Sequence, residues 1–267
     1  MTILVTGATG NIGRRIVDHL IHLGANDIRA LTANPAKANL PDGVNVVTGY
    51  LGNPESLPAA LDGVEAMYLA PLPATLSVTL ELAKEANVQY VVALSGGAHW
   101  QEHADAITAS GLVNTQLGPG EFADNFTIWA EQIKATRTVR DPYPTVLEAP
   151  ISMDDIARVA ATLLAKPDSS HHGRMYSITG PEALSRVAIA ERIGVGIGVD
   201  VTFEQCTRAE AEALLQPAMG DYASWYLDQV QAGVDAPQQA NHLVAELTGT
   251  PAQSIAEWAA ANAEAFR

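Results

Sequence analysis

A chain of 267 residues with a formal charge of −15, 48% hydrophobic and 17% charged residues can bury a large core, and it offers no basic surface for a phosphate backbone. Sequence-independent nucleic-acid binding is therefore excluded, and so is a disordered chain. No apolar run approaches the ~20 residues that cross a bilayer, and a single Cys206 excludes an intramolecular disulfide or a cysteine-based metal cluster, so a cytoplasmic protein with no membrane partner is expected.

The chain opens on Thr2–Thr6, an apolar, β-branched run. Gly7, Gly10 and Gly13 follow at a spacing of three, and Ile12, Ile16, Val17, Leu20 and Leu23 then recur at helical spacing, with Gly24 as a C-terminal stop. Strand, glycine turn and helix in this order read as a Rossmann-type turn. The glycines let the chain leave the strand sharply, let a phosphate approach the backbone, and let the helix pack close to the sheet with its N-terminus facing the anion. A second strand, Asp27–Thr32, ends without an acidic residue for the ribose hydroxyls of NAD and without a basic one for the 2′-phosphate of NADP. Lys37 and Arg14 are the basic groups able to reach such a phosphate, although Lys37 reads equally well as a solvated loop lysine.

Val44–Thr48 reads as a third strand, followed by a helix over 54–61. Glu65–Ala70 makes a fourth strand, broken at once by Pro71 and Pro73, and a helix over 75–86 leads to a fifth strand, Gln89–Leu94, ending at Ser95-Gly96-Gly97. A short helix over 100–110, a sixth strand over Leu112–Leu117 and the stretch Gly118 to Phe122 come next. This alternation predicts an α/β fold with a doubly wound parallel sheet, whose ligands lie at the carboxyl ends of its strands. Helices over 126–136 and from Asp154, a strand over 174–179, a helix over 184–193 and a strand over 199–204 precede a helical end. The domains expected are a dinucleotide-binding domain over 1–150, with 151–180 contributing, and a smaller, mostly helical substrate lobe over 181–267 interleaved with it. Tyr222, Trp225 and Tyr226 in that lobe read either as a wall for a flat substrate or as packing.

Several segments in order resemble the NmrA-like branch of the atypical short-chain dehydrogenase/reductases: TGATGNIG, LTANPAK, the corner Tyr50-Leu51-Gly52, LAPLP, LSGGA, SGLVNTQLGPGEFADNF, SMDDIARVAATLLA and HHGRMYSITGPEALS. The resemblance covers roughly residues 1 to 195. It implies NAD(P) at the glycine turn, with Gly7, Thr9, Gly10, Asn11 and Ile12 lining the pyrophosphate and Lys37 near the 2′-phosphate. Tyr50 and Leu51 would lie at the adenosine half, Pro71 and Leu72 near a ribose, and Ser95, Gly96 and Gly97 near the nicotinamide. Pro119, Glu121 and Phe122 would cover its face. Family members often carry arginine at the positions of Ala33 and Gly118 and aspartate at that of Tyr50, so Tyr50 would stack on an adenine or fill the site itself. The Tyr-x-x-x-Lys pair of ordinary short-chain dehydrogenases is missing from 95–110.

Without that tyrosine, His99 and His103 are the candidates for proton transfer, since imidazole titrates near neutrality; His103 and Asp105, two apart on a helix, are not a dyad. No HExxH or Cys-His cluster suggests a metal, and Leu94-Ser95-Gly96 lacks the first glycine of a nucleophile elbow. Three functions fit. The favoured one is a reductase using NADPH, or NADH, on a hydrophobic or quinone-like small molecule. The others are a non-redox enzyme catalysing cyclisation, isomerisation or elimination on a degenerate cofactor site, and a non-catalytic dinucleotide sensor. A homodimer is compatible with any of them.

Overall fold

The computed structural model describes residues 1–95 and 101–267. In chain order the elements are β1 (Ile3–Val5), α1 (Asn11–His22), β2 (Ile28–Thr32), β3 (Asn45–Thr48), α2 (Pro58–Leu61), β4 (Ala66–Leu69), α3 (Leu76–Glu85), β5 (Tyr90–Leu94), α4 (Gln101–Ala109) and β6 (Asn114–Pro119). The chain continues through α5 (Ala130–Thr136), β7 (Thr138–Asp141), β8 (Leu147–Glu148), α6 (Met153–Ala165), β9 (Arg174–Ile178), β10 (Leu184–Ser185) and α7 (Arg186–Ile197). It ends with β11 (Thr202–Gln205), α8 (Arg208–Met219), α9 (Tyr222–Ala232), α10 (Leu243–Thr248) and α11 (Ile255–Ala261).

Two compact units result, the first built from residues 1–119, 153–178 and 246–249, the second from 120–152, 179–245 and 250–267. Interleaving is thus present, but residues 120–152 group with the second unit and not with the dinucleotide-binding half that the sequence suggested for 1–150. Their side chains explain it: Phe126, Trp129, Ile133 and Val139 are buried with Ile189, Ile193 and Trp258 of α7 and α11. An aromatic-rich segment goes where it can bury its large faces.

The first unit is a seven-stranded sheet in the order β3-β2-β1-β4-β5-β6-β9, parallel throughout. Successive strand residues point to opposite faces. Leu4, Met67, Leu69, Val91 and Ala93 pack against Leu61, Leu76, Leu80 and Ile107 of α2, α3 and α4. The alternate residues Ile3, Val5, Tyr68 and Val92 are buried as well, as a sheet covered on both faces requires. Helices α1 and α6 pack on one another, tied by His19 Nε2 to Asp154 Oδ1 at 2.9 Å. The strand order reverses between β1 and β4, which is the switch point of this sheet type.

In the second unit, β7 pairs in parallel with β11 and β8 antiparallel with β10. Neither β7 nor β8 was expected from sequence, being four and two residues long. The helix expected over 184–193 starts at Arg186, because Leu184 and Ser185 are extended and the Ser185 hydroxyl caps α7 by accepting from the Ala188 N–H. Capping boxes of Thr207 with Glu210 and of Ser254 with Glu257 start α8 and α11.

Candidate functional site

The turn after β1 is shaped by what glycine lacks. Gly7 has φ +60°, and a Cβ on Gly13 would sit 2.2 Å from the Gly7 carbonyl oxygen. The first turn of α1 therefore rests directly on the backbone of the preceding loop, an approach that any side chain at position 13 would prevent. Gly10 is extended and N-caps α1 without a side-chain acceptor, and no acidic residue stands in the first turn. The N–H groups that open this twelve-residue helix are left to an outside acceptor, and the helix dipole favours an anion there.

Neighbouring strand ends complete the crevice. The Thr6 hydroxyl donates to the Tyr68 carbonyl at 2.9 Å and accepts from the Ala70 N–H at 2.8 Å, locking the ends of β1 and β4 together. Thr9 and Thr32 hydroxyls lie 3.4 Å apart, and the Asn34 N–H donates to Thr32 at 3.3 Å. Pro71 and Leu72, half-buried, form the loop directly after β4. Arg14 reaches from α1 to the loop after β2, where its guanidinium donates to the carbonyls of Ala38 and Asn39 at 2.5 and 2.6 Å. Lys37, exposed, belongs to the same loop. The loop after β2 thus carries Lys37 and is held by Arg14, although Ala33 supplies no cation.

The remaining expected positions divide. Thr9, Gly10 and Asn11 are exposed and Ile12 is half-buried around the turn. Tyr50 is 56% exposed, with its ring folded over Gly52, where a Cβ would meet ring carbons at 2.3 to 3.0 Å; its outer face is open to a flat group. Leu51 points the other way, into the hydrophobic core, and can offer only its backbone. Ser95 is buried, its hydroxyl donating to Gln116 Oε1 at 2.6 Å and its N–H to the Leu117 carbonyl at 2.8 Å. Gly96, Gly97 and His99 lie outside the described residues. His103 is buried on α4, and that burial lowers its pKa and keeps the ring neutral. Pro119 ends β6, and Phe122 pairs its backbone with Ile151.

A second cluster was not anticipated. Arg186 is wholly buried in the second unit. It donates to both Glu148 carboxylate oxygens at 3.1 and 3.0 Å, to Asp141 Oδ2 at 2.8 Å and to the Tyr226 hydroxyl at 3.2 Å. Its guanidinium lies 4.9 Å from the centre of the Trp129 ring and 5.6 Å from that of Phe126. Glu121 adjoins this group. Its N–H donates to Gln238 Oε1 at 3.2 Å, its carbonyl accepts from the Ile151 N–H at 2.8 Å, and its Oε1 accepts from Asn125 Nδ2 at 2.9 Å. Burial, reinforced by the Glu148 carboxylate, pushes the Glu121 carboxyl up to about 7. The aromatic trio divides too: Tyr226 packs on Arg186, while Tyr222 and Trp225 are 72% and 55% exposed. No sequence signal announces a cluster drawn from positions 121, 141, 148, 186 and 226; Glu121 in Gly-Pro-Gly-Glu-Phe and Tyr226 of the aromatic trio are the members that sequence singles out, with nothing to join them.

A model of the NmrA-like family matches residues 1–93. End to end, the chain is 31% identical to an NAD(P)H azoreductase of Xenophilus azovorans, with 99% of each chain covered. It is 30% identical, over 99% of both chains, to a (4-alkanoyl-5-oxo-2,5-dihydrofuran-3-yl)methyl phosphate reductase of Streptomyces griseus. The chain belongs to the NmrA-like family. Among solved structures, the triphenylmethane reductase of Citrobacter superposes with a TM-score of 0.87 at 20% identity, covering 98% of this chain and 99% of the other. An NADPH complex of an Escherichia coli quinone oxidoreductase gives 0.85 at 24% identity with the same coverage. At those identities the likeness is one of fold. The residues at the glycine turn fit a dinucleotide: a helix start that no side chain caps, brought close to the loop after β1 by the missing side chain of Gly13, and a basic loop beyond β2. Among the described residues no group of three His, Cys, Asp or Glu side chains is placed to hold a metal ion, and no helix is long and apolar enough to cross a membrane.

Proposed function

We propose that this chain is an NAD(P)H-dependent reductase of flat, conjugated, hydrophobic small molecules of the quinone or dye type. The observation that carries this reading is the 31% identity to an NAD(P)H azoreductase over 99% of both chains. The glycine turn supports it, because Gly7, Thr9, Gly10, Asn11, Ile12 and Gly13 would line a pyrophosphate at a helix start that no side chain caps, the Gly10 N–H itself closing the turn onto the Gly7 carbonyl at 2.9 Å. Pro71 and Leu72 would border the ribose beyond β4, and Tyr50 would stack on the adenine.

NADPH is the preferred cofactor in this reading. Arg14, held across the loop after β2, and Lys37 within it supply the positive charge that a 2′-phosphate requires, while no acidic side chain ends β2 to hold the ribose hydroxyls of NADH. The bound cofactor supplies the hydride. The protein's own part is to orient the acceptor, exclude water and deliver the accompanying proton.

Calorimetric titration of the nucleotide-free protein with NADPH and NADH separately, followed by cofactor oxidation with a naphthoquinone, an azo dye and a triarylmethyl dye, tests the proposal. Saturable NADPH binding with turnover of at least one acceptor is expected. Absence of binding by either cofactor at millimolar concentration would overturn it.

A further inference from the structure

A groove of about 630 Å³ runs along the end of α7 in the second unit. Its other borders are the chain that leads from α7 into β11 and Arg137, the residue that closes α5. We propose that this groove binds a small aliphatic zwitterion, a ligand with an ammonium and a carboxylate on an apolar body, for which a free amino acid and a short peptide are the two sources. All of its residues belong to the second unit, so the proposal stands or falls without the reductase reading.

Glycine spacing shapes the groove. Glu191, Gly194, Val195 and Gly198 recur at i, i+3, i+4 and i+7, on one face of α7 and its cap. Two of these four have no side chain, so the face is a trough. A Cβ on Gly194 would meet the Val199 carbonyl oxygen at 2.7 Å and the Val201 nitrogen at 3.0 Å, and the returning chain therefore lies directly on the helix. Gly198, with φ +76°, makes that reversal.

Arg137 is held by its main chain. Its N–H donates to the Ile133 carbonyl and its carbonyl accepts from the Thr202 N–H, both at 2.9 Å. It stands at φ +55°, a left-handed conformation that glycine adopts freely and arginine only at a cost. Nothing that its side chain does inside the protein offsets that cost, because the guanidinium makes no ion pair or hydrogen bond among the described residues.

Charge sets the ligand class. Glu191 and Asp200 line the same groove, and their carboxylates are likewise engaged in no ion pair or hydrogen bond among the described residues. Opposite charges around one hollow that do not pair with each other are left for the two ends of a bipolar ligand. The end of α7 adds to the negative side, since no basic residue stands in its last turn and a helix C-terminus favours a cation. The ammonium therefore belongs beside Glu191 and the end of α7. The carboxylate belongs on Arg137, whose planar fork matches it with two hydrogen bonds. Val195, 67% exposed, and the half-buried Val199 meet what joins the two ends, which makes that part aliphatic. A plain anion would face two carboxylates and a plain cation a guanidinium. A groove of this size has room for either source.

Proton–nitrogen correlation NMR of the full chain, titrated separately with L-leucine, L-alanyl-L-leucine, L-leucinamide and N-acetyl-L-leucine, tests the assignment. Saturable shifts at the amides of Arg137 and of residues 195–201 are expected with leucine and the dipeptide, and the tighter of the two identifies the source. Leucinamide lacks the carboxylate and N-acetylleucine the ammonium, so each is expected to bind about 10-fold or more weakly, as loss of one charge-assisted contact requires. Arg137→Gly removes the strain and the guanidinium together. Its midpoint in urea is expected to be no lower than that of the wild type, while its preference for leucine over leucinamide disappears. Equal affinity for all four probes, or no saturable shift at these amides up to the solubility limit of the probes, would overturn the proposal. So would an Arg137→Gly protein that still prefers leucine to leucinamide. Should that variant unfold, the four-probe comparison on the wild-type protein decides by itself.

Discussion

The anion-receiving turn of the first unit and the carboxyl-lined cluster of the second treat charge in opposite ways. At the start of α1 the positive potential comes from uncapped backbone N–H groups, with no acidic residue in the first turn. Around Arg186 the charge is carried by side chains, one guanidinium against Glu148 and Asp141 with Glu121 beside them. A backbone cradle has nothing to titrate and depends on shape alone. A side-chain cluster depends on a balance of protons, which a pH change or one substitution upsets.

The largest effect should follow from removing the cation. Arg186→Met would leave Asp141 and Glu148 buried without their shared cation, at a cost of about 3–5 kcal/mol in urea unfolding. The pH dependence has a definite sign. Burial already raises the Glu148 carboxyl against the pull of Arg186, so without the cation its folded pKa lies further above its unfolded one, and the deficit is greatest at alkaline pH and shrinks as pH falls and it takes up a proton. A loss of the same size at pH 8 and pH 5 would show that packing against Trp129 and Phe126, and not charge, is what Arg186 provides.

The cradle breaks by shape. Gly13→Ala would place a Cβ 2.2 Å from the Gly7 carbonyl oxygen, costing about 1–3 kcal/mol of stability by overpacking. It should abolish NADPH binding at concentrations that saturate the wild type, at every pH tested. Restored binding at any pH would contradict a purely steric role. Such pH independence is what separates this site from the cluster.

These two sites also differ in how far the sequence reveals them. Gly7, Gly10 and Gly13 fall within seven consecutive residues, and a strand-turn-helix built from neighbours leaves a periodic trace. The alternation of β-branched runs with helical spacing likewise gave the parallel sheet. Arg186 reads in sequence only as a polar residue near a helix start, and its hydrogen-bond partners lie up to 45 positions away at Asp141. Leu51 shows a related limit: a motif position suggests that the corner is near the cofactor, whereas the direction of the side chain is set by the core it enters. Residues 120–152 went to the second unit because burial of Phe126 and Trp129 overrides chain proximity.

Arg14 bridges the two kinds of site, being a side-chain charge added to a backbone cradle. Arg14→Ala should weaken NADPH binding by about 10-fold or more, as loss of a charge-assisted contact does, and change NADH binding far less. Equal losses for both cofactors would mean that Arg14 serves only to brace the loop through the Ala38 and Asn39 carbonyls. Raising the salt concentration should narrow the wild-type preference, because an exposed phosphate contact is screened.

The smallest effect concerns a charge pair in the first unit, and it calibrates the buried cluster. His19 Nε2 lies 2.9 Å from Asp154 Oδ1, with the two side chains 22% and 44% exposed. The hydrogen bond from His19 is the main cause that holds the Asp154 carboxyl below its ordinary value. A depressed carboxylate contributes stability above its unfolded pKa and loses it as pH falls through the folded one, so the contribution is present at pH 7 and disappears in acid. Solvent screening limits it: Asp154→Asn should cost less than about 1 kcal/mol at pH 7 by urea unfolding, part of that from the favourable place of an acid in the first turn of α6. The difference should shrink steadily as pH falls below about 4. A cost at pH 7 approaching that of Arg186→Met would mean that the seam between α1 and α6 is far less hydrated than its exposure indicates.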